Sequence, residues 1–145
     1  WAMGDGRCSA RPNGAREIPM GRGVRNHRDL EVWNVSIELV DAIYALSESW
    51  PKSELYGLIS QARRAAVSVP ANIAEGNGRR TPRDYLRFLD QAYGSLMELD
   101  THLHIAARRH YVTEAAMVPS SAFIERVTKM LNALMSSIER KAASS

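Results

Sequence analysis

Four arginines gather in a short stretch of the chain, between two segments of apolar periodicity. These are Arg79, Arg80, Arg83 and Arg87, which we call the arginine collar. A guanidinium group donates paired hydrogen bonds to phosphate oxygens, so the collar and the nearby Arg63 and Arg64 are candidate contacts to RNA or DNA. The alternative is a solvated turn with local ion pairs, such as Arg80 with Asp84, which contribute little individually.

Polar residues follow one side of each of the two middle segments. At about 100° per residue, Gln61, Ser68, Asn72 and Glu75 fall within roughly 60° of one another on a helix, beside its apolar face. Asp84, Gln91, Ser95, Glu98 and His102 repeat the arrangement on the next helix. Either both strips are solvated flanks, or they form a polar seam of Ser68, Asn72, Glu75, Ser95 and Glu98. In such a seam we expect Asn72 and Glu75 to face Ser95 and Glu98.

Catalytic and metal-binding patterns are missing from the sequence. A di-iron bundle needs Glu-x-x-His pairs on two helices, whereas Glu98 and His102, like Asp100 and His104, are four residues apart. There is no Gly-x-Ser-x-Gly elbow, P-loop or dinucleotide fingerprint. The glycines at 76 and 78 follow a helical pattern and therefore indicate a helix C-cap. We expect no catalytic residues, no metal, no cofactor and no enzymatic activity.

Apolar residues spaced by three and four predict two amphipathic helices in the first half of the chain. The first begins near Asp29 and ends before Trp50-Pro51, with a stripe that includes Leu30, Trp33, Ile37, Val40 and Tyr44. The second has Ser53 as its N-cap, an apolar face that starts at Leu55, and an end at Gly76-Asn77-Gly78. Pro70 interrupts its backbone hydrogen bonds, so we expect this second helix to be kinked.

Two further helices are predicted in the second half. Thr81 is a suitable N-cap, with Pro82 at the first helical position, for a helix that runs to about Arg109. Gly94 lies in its middle, where glycine costs up to about 1 kcal/mol, so we expect a close helix contact there. Thr113-Glu114 opens the last helix, whose start is uncertain because of Pro119. The short connections predict an all-α, antiparallel up-down-up-down four-helix bundle.

Charge divides the chain into a basic arm and a nearly neutral body. The 145 residues carry a formal charge of +3. Residues 1–28 hold six arginines against Asp5 and Glu17, a net of +4, and residues 29–145 hold thirteen basic against fourteen acidic residues, a net of −1. We predict a flexible basic arm over residues 1–26, the bundle over 27–141 and a tail over 142–145. The arm is alternatively upstream sequence ahead of a start at Met3 or Met20.

The composition predicts a soluble cytoplasmic protein. No apolar run approaches the roughly 20 residues that cross a bilayer, and the N-terminus lacks the pattern of a signal peptide. The single cysteine, Cys8, cannot form an internal disulfide, in agreement with a reducing compartment. We therefore expect no membrane partner.

Several runs of the sequence closely resemble a known family. They are Ser68 to Gly76 (SVPANIAEG) followed by Arg79, Phe88 to Leu99 (FLDQAYGSLMEL), and the shorter stretches 30–33, 55–58 and 63–66. They are similar to a bacterial four-helix-bundle family first named for open reading frames in intervening sequences of 23S ribosomal RNA genes. The similarity extends from about His27 to Arg140.

The resemblance implies a homo-oligomer, with pentameric rings expected. It also implies kinship with the accessory variability determinant proteins of diversity-generating retroelements, which are basic pentamers that bind a reverse transcriptase and nucleic acid. The bundle of this chain differs, because its net charge is −1 and nucleic-acid affinity rests largely on phosphate neutralisation. Two functions stay open: a ring-forming scaffold or adaptor that contacts itself and another protein, and an RNA- or DNA-binding module that uses the arginine collar.

Overall fold

Four α-helices make up the part of the chain that the computed structural model describes, residues 26–144. They are α1 (Glu31–Ser47), α2 (Leu58–Asn77), α3 (Pro82–Arg108) and α4 (Glu114–Ser144). Sequential helices pack against each other and α4 closes against α1, with the most extensive contact between α2 and α3. The predicted antiparallel four-helix bundle is confirmed. The basic arm predicted over residues 1–26 lies outside the described residues except for Asn26.

The core contains the apolar faces that the sequence predicted for α2, α3 and α4. The stripe predicted for α1 was wrong, because this helix has apolar residues on two adjacent faces. Its buried face is Val32, Val35, Leu39 and Ile43, whereas Leu30, Trp33, Ile37 and Val40 are half-buried and Tyr44 is 43% exposed. Leu39, Ile43, Ile73, Leu89, Leu96, Leu99, Leu103 and Leu131 are fully buried at the centre. Leu55 is an exception, because it lies before α2 and is 45% exposed. None of the helices between residues 26 and 144 is apolar enough over its length to span a membrane.

The helix starts confirm some predicted caps and correct one. The Thr81 hydroxyl accepts a hydrogen bond from the Asp84 amide at 3.1 Å, and Thr113 accepts one from the Ala116 amide at 3.1 Å. The prediction of Ser53 as the N-cap of α2 is wrong. Residues Lys52–Glu54 form a short 3₁₀ turn, and the Glu54 carboxylate instead accepts the Leu58 amide at 3.0 Å.

Glu54 also closes one end of the bundle. Its second oxygen accepts a hydrogen bond from the Tyr111 hydroxyl at 2.8 Å, which joins the α1–α2 and α3–α4 connections. The hydrogen bonds from the Leu58 amide and from Tyr111 lower the pKa of Glu54 below its ordinary value. Trp50 is 2% exposed in the same region, 6.5 Å from the Tyr111 ring. Trp50 therefore packs over this end of the bundle.

Both internal prolines lie within continuous helices. Helix α2 runs through Pro70 and α4 runs through Pro119, so α4 begins at Glu114 without a separate leading turn. The kink expected at Pro70 stays a prediction. Helix α4 reaches Ser144, so residues 142–144, which the sequence suggested as a tail, are helical.

Gly76 allows α2 and α3 to pack closely, whereas Gly94 lies at an open position of α3. A Cβ added to Gly76 would lie 2.9 Å from the Cβ of Phe88 and 3.0 Å from a ring carbon of Tyr85. No heavy atom lies within 4 Å of a Cβ built on Gly94, so the contact expected there is absent from the described bundle. The α2–α3 approach therefore depends on the missing side chain at position 76.

The two glycines predict opposite responses to alanine. Gly76→Ala forces α2 and α3 apart, so we expect a loss of about 1–3 kcal/mol in the free energy of unfolding. Gly94→Ala removes backbone entropy from the unfolded chain at an open position, so we expect a gain of about 0.5–1 kcal/mol. Urea unfolding followed by circular dichroism measures both. A Gly76→Ala variant as stable as the parent would contradict the close approach.

Candidate functional site

A chain of hydrogen bonds joins α2 to α3 at mid-bundle. The hydroxyl oxygens of Ser68 and Ser95 lie 2.8 Å apart, and the side-chain amide of Asn72 donates to both the hydroxyl and the carbonyl oxygen of Ser68 at 2.9 Å. All three residues are half-buried. The structure thus brings together Ser68, Asn72 and Ser95 of the predicted polar seam.

The register of α2 and α3 corrects the pairing expected across the seam. Ser68 lies opposite Ser95 and Gly76 lies against Phe88, so residues further along α2 lie opposite earlier residues of α3. Asn72 and Glu75 therefore do not face Ser95 and Glu98, and that pairing was wrong. The expected pairing matched residues in ascending order on both helices. In antiparallel helices, ascending residues of one helix lie opposite descending residues of the other.

The two carboxylates of the predicted seam interact with side chains of their own helices. Glu75 pairs with Arg79 at 2.9 Å and is exposed. Glu98 lies 3.3 Å from His102, whose side chain is buried and whose residue is 7% exposed. Nδ1 of this imidazole has no hydrogen-bond partner among the described residues. Between residues 26 and 144, no group of three His, Cys, Asp or Glu residues is placed to hold a metal ion.

An aromatic ring organises half of the arginine collar. The guanidinium carbons of Arg79 and Arg87 each lie 4.6 Å from the centre of the Phe88 ring. Arg79 also pairs with Glu75, and Arg87 pairs with Asp84 at 3.8 Å, so Asp84 does not serve Arg80 as the sequence suggested. Cation–π contact and ion pairing hold both arginines against the bundle.

The remaining candidate arginines differ in their availability. Arg63 donates to the Ser47 hydroxyl at 2.9 Å and stacks over the Tyr44 ring at 4.6 Å, so it connects α1 with α2. Arg64, Arg80 and Arg83 are exposed and make no ion pair within residues 26–144. Sequence reasoning treated Phe88 and Tyr44 only as parts of apolar stripes. The aromatic type of Phe88, next to Arg87 in the sequence, was a signal for stacking, whereas Tyr44 is 19 residues from Arg63 and gave no such signal.

Comparisons with known proteins agree with the architecture. A family model described as "23S rRNA-intervening sequence protein" matches residues 28–133. A crystal structure of a protein of unknown function from the S23 ribosomal protein family of Bacteroides thetaiotaomicron is similar, with a TM-score of 0.65 and 20% sequence identity. The similarity covers 72% of this chain and 97% of that one, and at this identity it supports the fold alone. A search of curated proteins finds no match.

The serine pair of the seam should show energetic coupling. In a double-mutant cycle of Ser68→Ala and Ser95→Ala, we expect a coupling energy of about 0.5–1.5 kcal/mol, because each single variant leaves a half-buried hydroxyl without its partner. Urea unfolding of the four proteins measures it. Ser136→Ala, at an exposed position of α4, is the control and should add independently to Ser68→Ala. Additive effects for the serine pair would exclude the interhelical hydrogen bond as a stabilising contact.

Proposed function

The chain belongs to the 23S rRNA-intervening sequence protein family, and from that premise we propose that it is a non-enzymatic, homo-oligomeric scaffold of the cytoplasm. The family resemblance suggests five copies in a ring. The scaffold would present repeated surfaces to a protein partner. The observation that carries this proposal is an exposed apolar hollow on the outer side of α1 and α2.

This outer hollow, which we call the α1–α2 surface, combines apolar and basic side chains. It is lined by Tyr44, Arg63, Arg64, Val67 and Ser68. Tyr44 and Val67 are each 43% exposed, which is high for large apolar residues that lie next to each other. A partly apolar patch with a tyrosine and arginines has the composition typical of the centre of a protein interface.

Charge along α1 and α2 favours another copy of the chain as the occupant. Helix α1 contains Glu31, Glu38 and Asp41 and no basic residue, whereas the middle of α2 carries Arg63 and Arg64. Glu38 and Asp41 are exposed and make no ion pair among the described residues. In a head-to-tail interface, the acidic side of α1 in one copy would meet Arg64 of the next. Rings are built from interfaces of this heterologous kind.

A charge placed in the α1–α2 surface should break the assembly. We expect the parent protein to have five times the subunit mass of 16.2 kDa in native mass spectrometry. Val67→Asp should shift it to monomer, because a carboxylate buried in an interface loses its hydration, which the neighbouring arginines offset only in part. Circular dichroism should show unchanged helicity.

The control for this experiment is Val118→Asp. Val118 is an equally apolar but more exposed residue of α4, away from the hollow, so its replacement should leave the mass unchanged. A parent protein that is monomeric at micromolar concentration would overturn the scaffold proposal. An assembly that survives Val67→Asp would place the interface elsewhere.

RNA or DNA binding through the arginine collar is the second candidate function. The observation in its favour is that Arg80 and Arg83 are exposed and form no ion pair among residues 26–144. Repeated around a ring, two such arginines per subunit would form a positive rim on a nearly neutral body. Arg79 and Arg87 would support this rim indirectly, because both are held on Phe88.

Salt dependence separates this candidate from non-specific attraction. Each phosphate contact to single-stranded nucleic acid contributes about 0.7 to the slope of log affinity against log salt, so Arg80→Ala with Arg83→Ala should reduce the slope by about 1.4. Fluorescence anisotropy with a labelled RNA measures it. Arg126→Ala with Lys129→Ala makes the same charge change at positions paired with Glu31 and Glu125 and should have a smaller effect. Equal slopes for both double variants would rule out the collar as the contact.

A further inference from the structure

The end of the bundle opposite Glu54 and Trp50 contains a half-open cavity of about 320 Å³. It forms where the α2–α3 turn meets the last turns of α4 and the residue that precedes α1. We call it the end pocket. Its lining consists of Leu30, Asn77, Arg79, Arg80, Thr81, Pro82, Tyr85, Leu134, Ser137, Ile138 and Lys141.

The end pocket is positively charged. Arg79, Arg80 and Lys141 line it, and no Asp or Glu is among its described lining residues. Arg79 is partly neutralised by Glu75, whereas Arg80 makes no ion pair within residues 26–144. Burial raises the pKa of Tyr85 above its ordinary value, so its phenol carries no negative charge near neutral pH. The field inside the pocket therefore favours an anion.

An apolar floor lies beside these charges. Leu134 and Ile138, one turn apart on α4, pack against the core from one side, and Leu30 and Pro82 complete the apolar wall. The Tyr85 hydroxyl donates to the side-chain oxygen of Asn77 at 3.3 Å, which holds the aromatic ring in the wall. The volume is at the lower end of the roughly 300–1,000 Å³ that is usual for small-molecule sites, and the mixture of an apolar floor with few polar groups is typical of them.

We propose that the end pocket binds a small phosphate monoester with an aromatic or similarly flat apolar body. Arg80 contacts the phosphate, and the apolar body lies on Leu134 and Ile138. A phosphate monoester carries a charge of about −1.5 to −2 at pH 7 and offers three acceptor oxygens, which match a guanidinium group better than a carboxylate does. This site is separate from the α1–α2 surface and does not require the ring.

Three probes test the two halves of the pocket separately. Phenyl phosphate carries both the anion and the apolar body, inorganic phosphate carries only the anion, and phenol carries only the ring. We expect phenyl phosphate to bind saturably and at least about tenfold more tightly than either of the others, because only it uses both halves. Isothermal titration calorimetry on the full chain measures the affinities, and chemical shifts of the Leu134 and Ile138 methyl groups locate the ligand.

Two arginines of the same turn provide a matched pair of variants. Arg80→Ala should weaken the binding of phenyl phosphate about tenfold, as expected for a lost charge-assisted hydrogen bond. Arg83→Ala removes the same charge from an exposed residue outside the pocket and should leave the affinity within about twofold.

Several results would overturn the proposal. Equal weakening by Arg80→Ala and Arg83→Ala would show general charge attraction, and equal affinities for phenol and phenyl phosphate would show an apolar site without an anion contact. An absence of saturable binding at millimolar phenyl phosphate would exclude the site itself. Native mass is unaffected by any of these outcomes, so the scaffold proposal stands or falls separately.

Discussion

The close approach of α2 and α3 at Gly76 is the constraint on which the rest of the structure depends. Small residues of α2 also lie beside α3 further along this contact, because Ala65 and Ser68 line a common hollow with Ser95. At Gly76 even one methyl group would overlap the Cβ of Phe88. With the helices at this distance and in this register, Ser68 meets Ser95, and Phe88 lies beneath the turn that carries the arginine collar. Packing of small residues thus determines where the polar residues can act.

The same packing divides the arginines into two classes. A guanidinium group stacked on an aromatic ring gains a cation–π contact and loses mobility, as Arg63 does on Tyr44 and as Arg79 and Arg87 do on Phe88. Arg64, Arg80 and Arg83 have no such platform. In the sequence, the six candidate arginines look equivalent. In the structure, a partner could contact Arg64, Arg80 and Arg83 without first breaking an ion pair or a ring contact within residues 26–144. For this reason, net charge is a poor guide to the binding capacity of this bundle.

The predictable features were those that depend on local sequence. Apolar periodicity gave the four helices, and the caps at Thr81 and Thr113 were found because each residue bonds within its own first turn. Features that depend on a third element were missed. Ser53 lost its predicted role because a 3₁₀ turn moved the start of α2, and Glu54 was held by Tyr111 from a distant connection. Among residues 26–144, the non-glycine residue with a left-handed backbone is His110, which follows the end of α3. Its own amide and the amide of Tyr111 donate hydrogen bonds to carbonyl oxygens of α3, and these bonds close the end of the helix.

The two helical glycines show why the contacts between α2 and α3 could not be predicted fully from the sequence. The sequence offered Gly76 as a C-cap and Gly94 as a close contact, and the roles proved different: Gly76 is the close contact, and Gly94 faces open space. Propensity rules show that a glycine in a helix needs an explanation, but they do not say which neighbour supplies it. The pairing of Asn72 and Glu75 with Ser95 and Glu98 failed for a different reason, because it followed both helices in the same direction although α2 and α3 are antiparallel.

The two ends of the bundle are chemically unequal, which gives the proposed ring a direction. One end is filled by Trp50, Tyr111 and the Glu54 hydrogen bonds, and the other retains the end pocket and the exposed Arg80 and Arg83. Cyclic symmetry relates all copies by rotation about one axis, so every subunit presents the same end to the same side. Contacts through the α1–α2 surface run along the flank of the bundle and leave both ends accessible. A ring whose bundle axes run along its symmetry axis would therefore concentrate its positive charge and all its end pockets on one face.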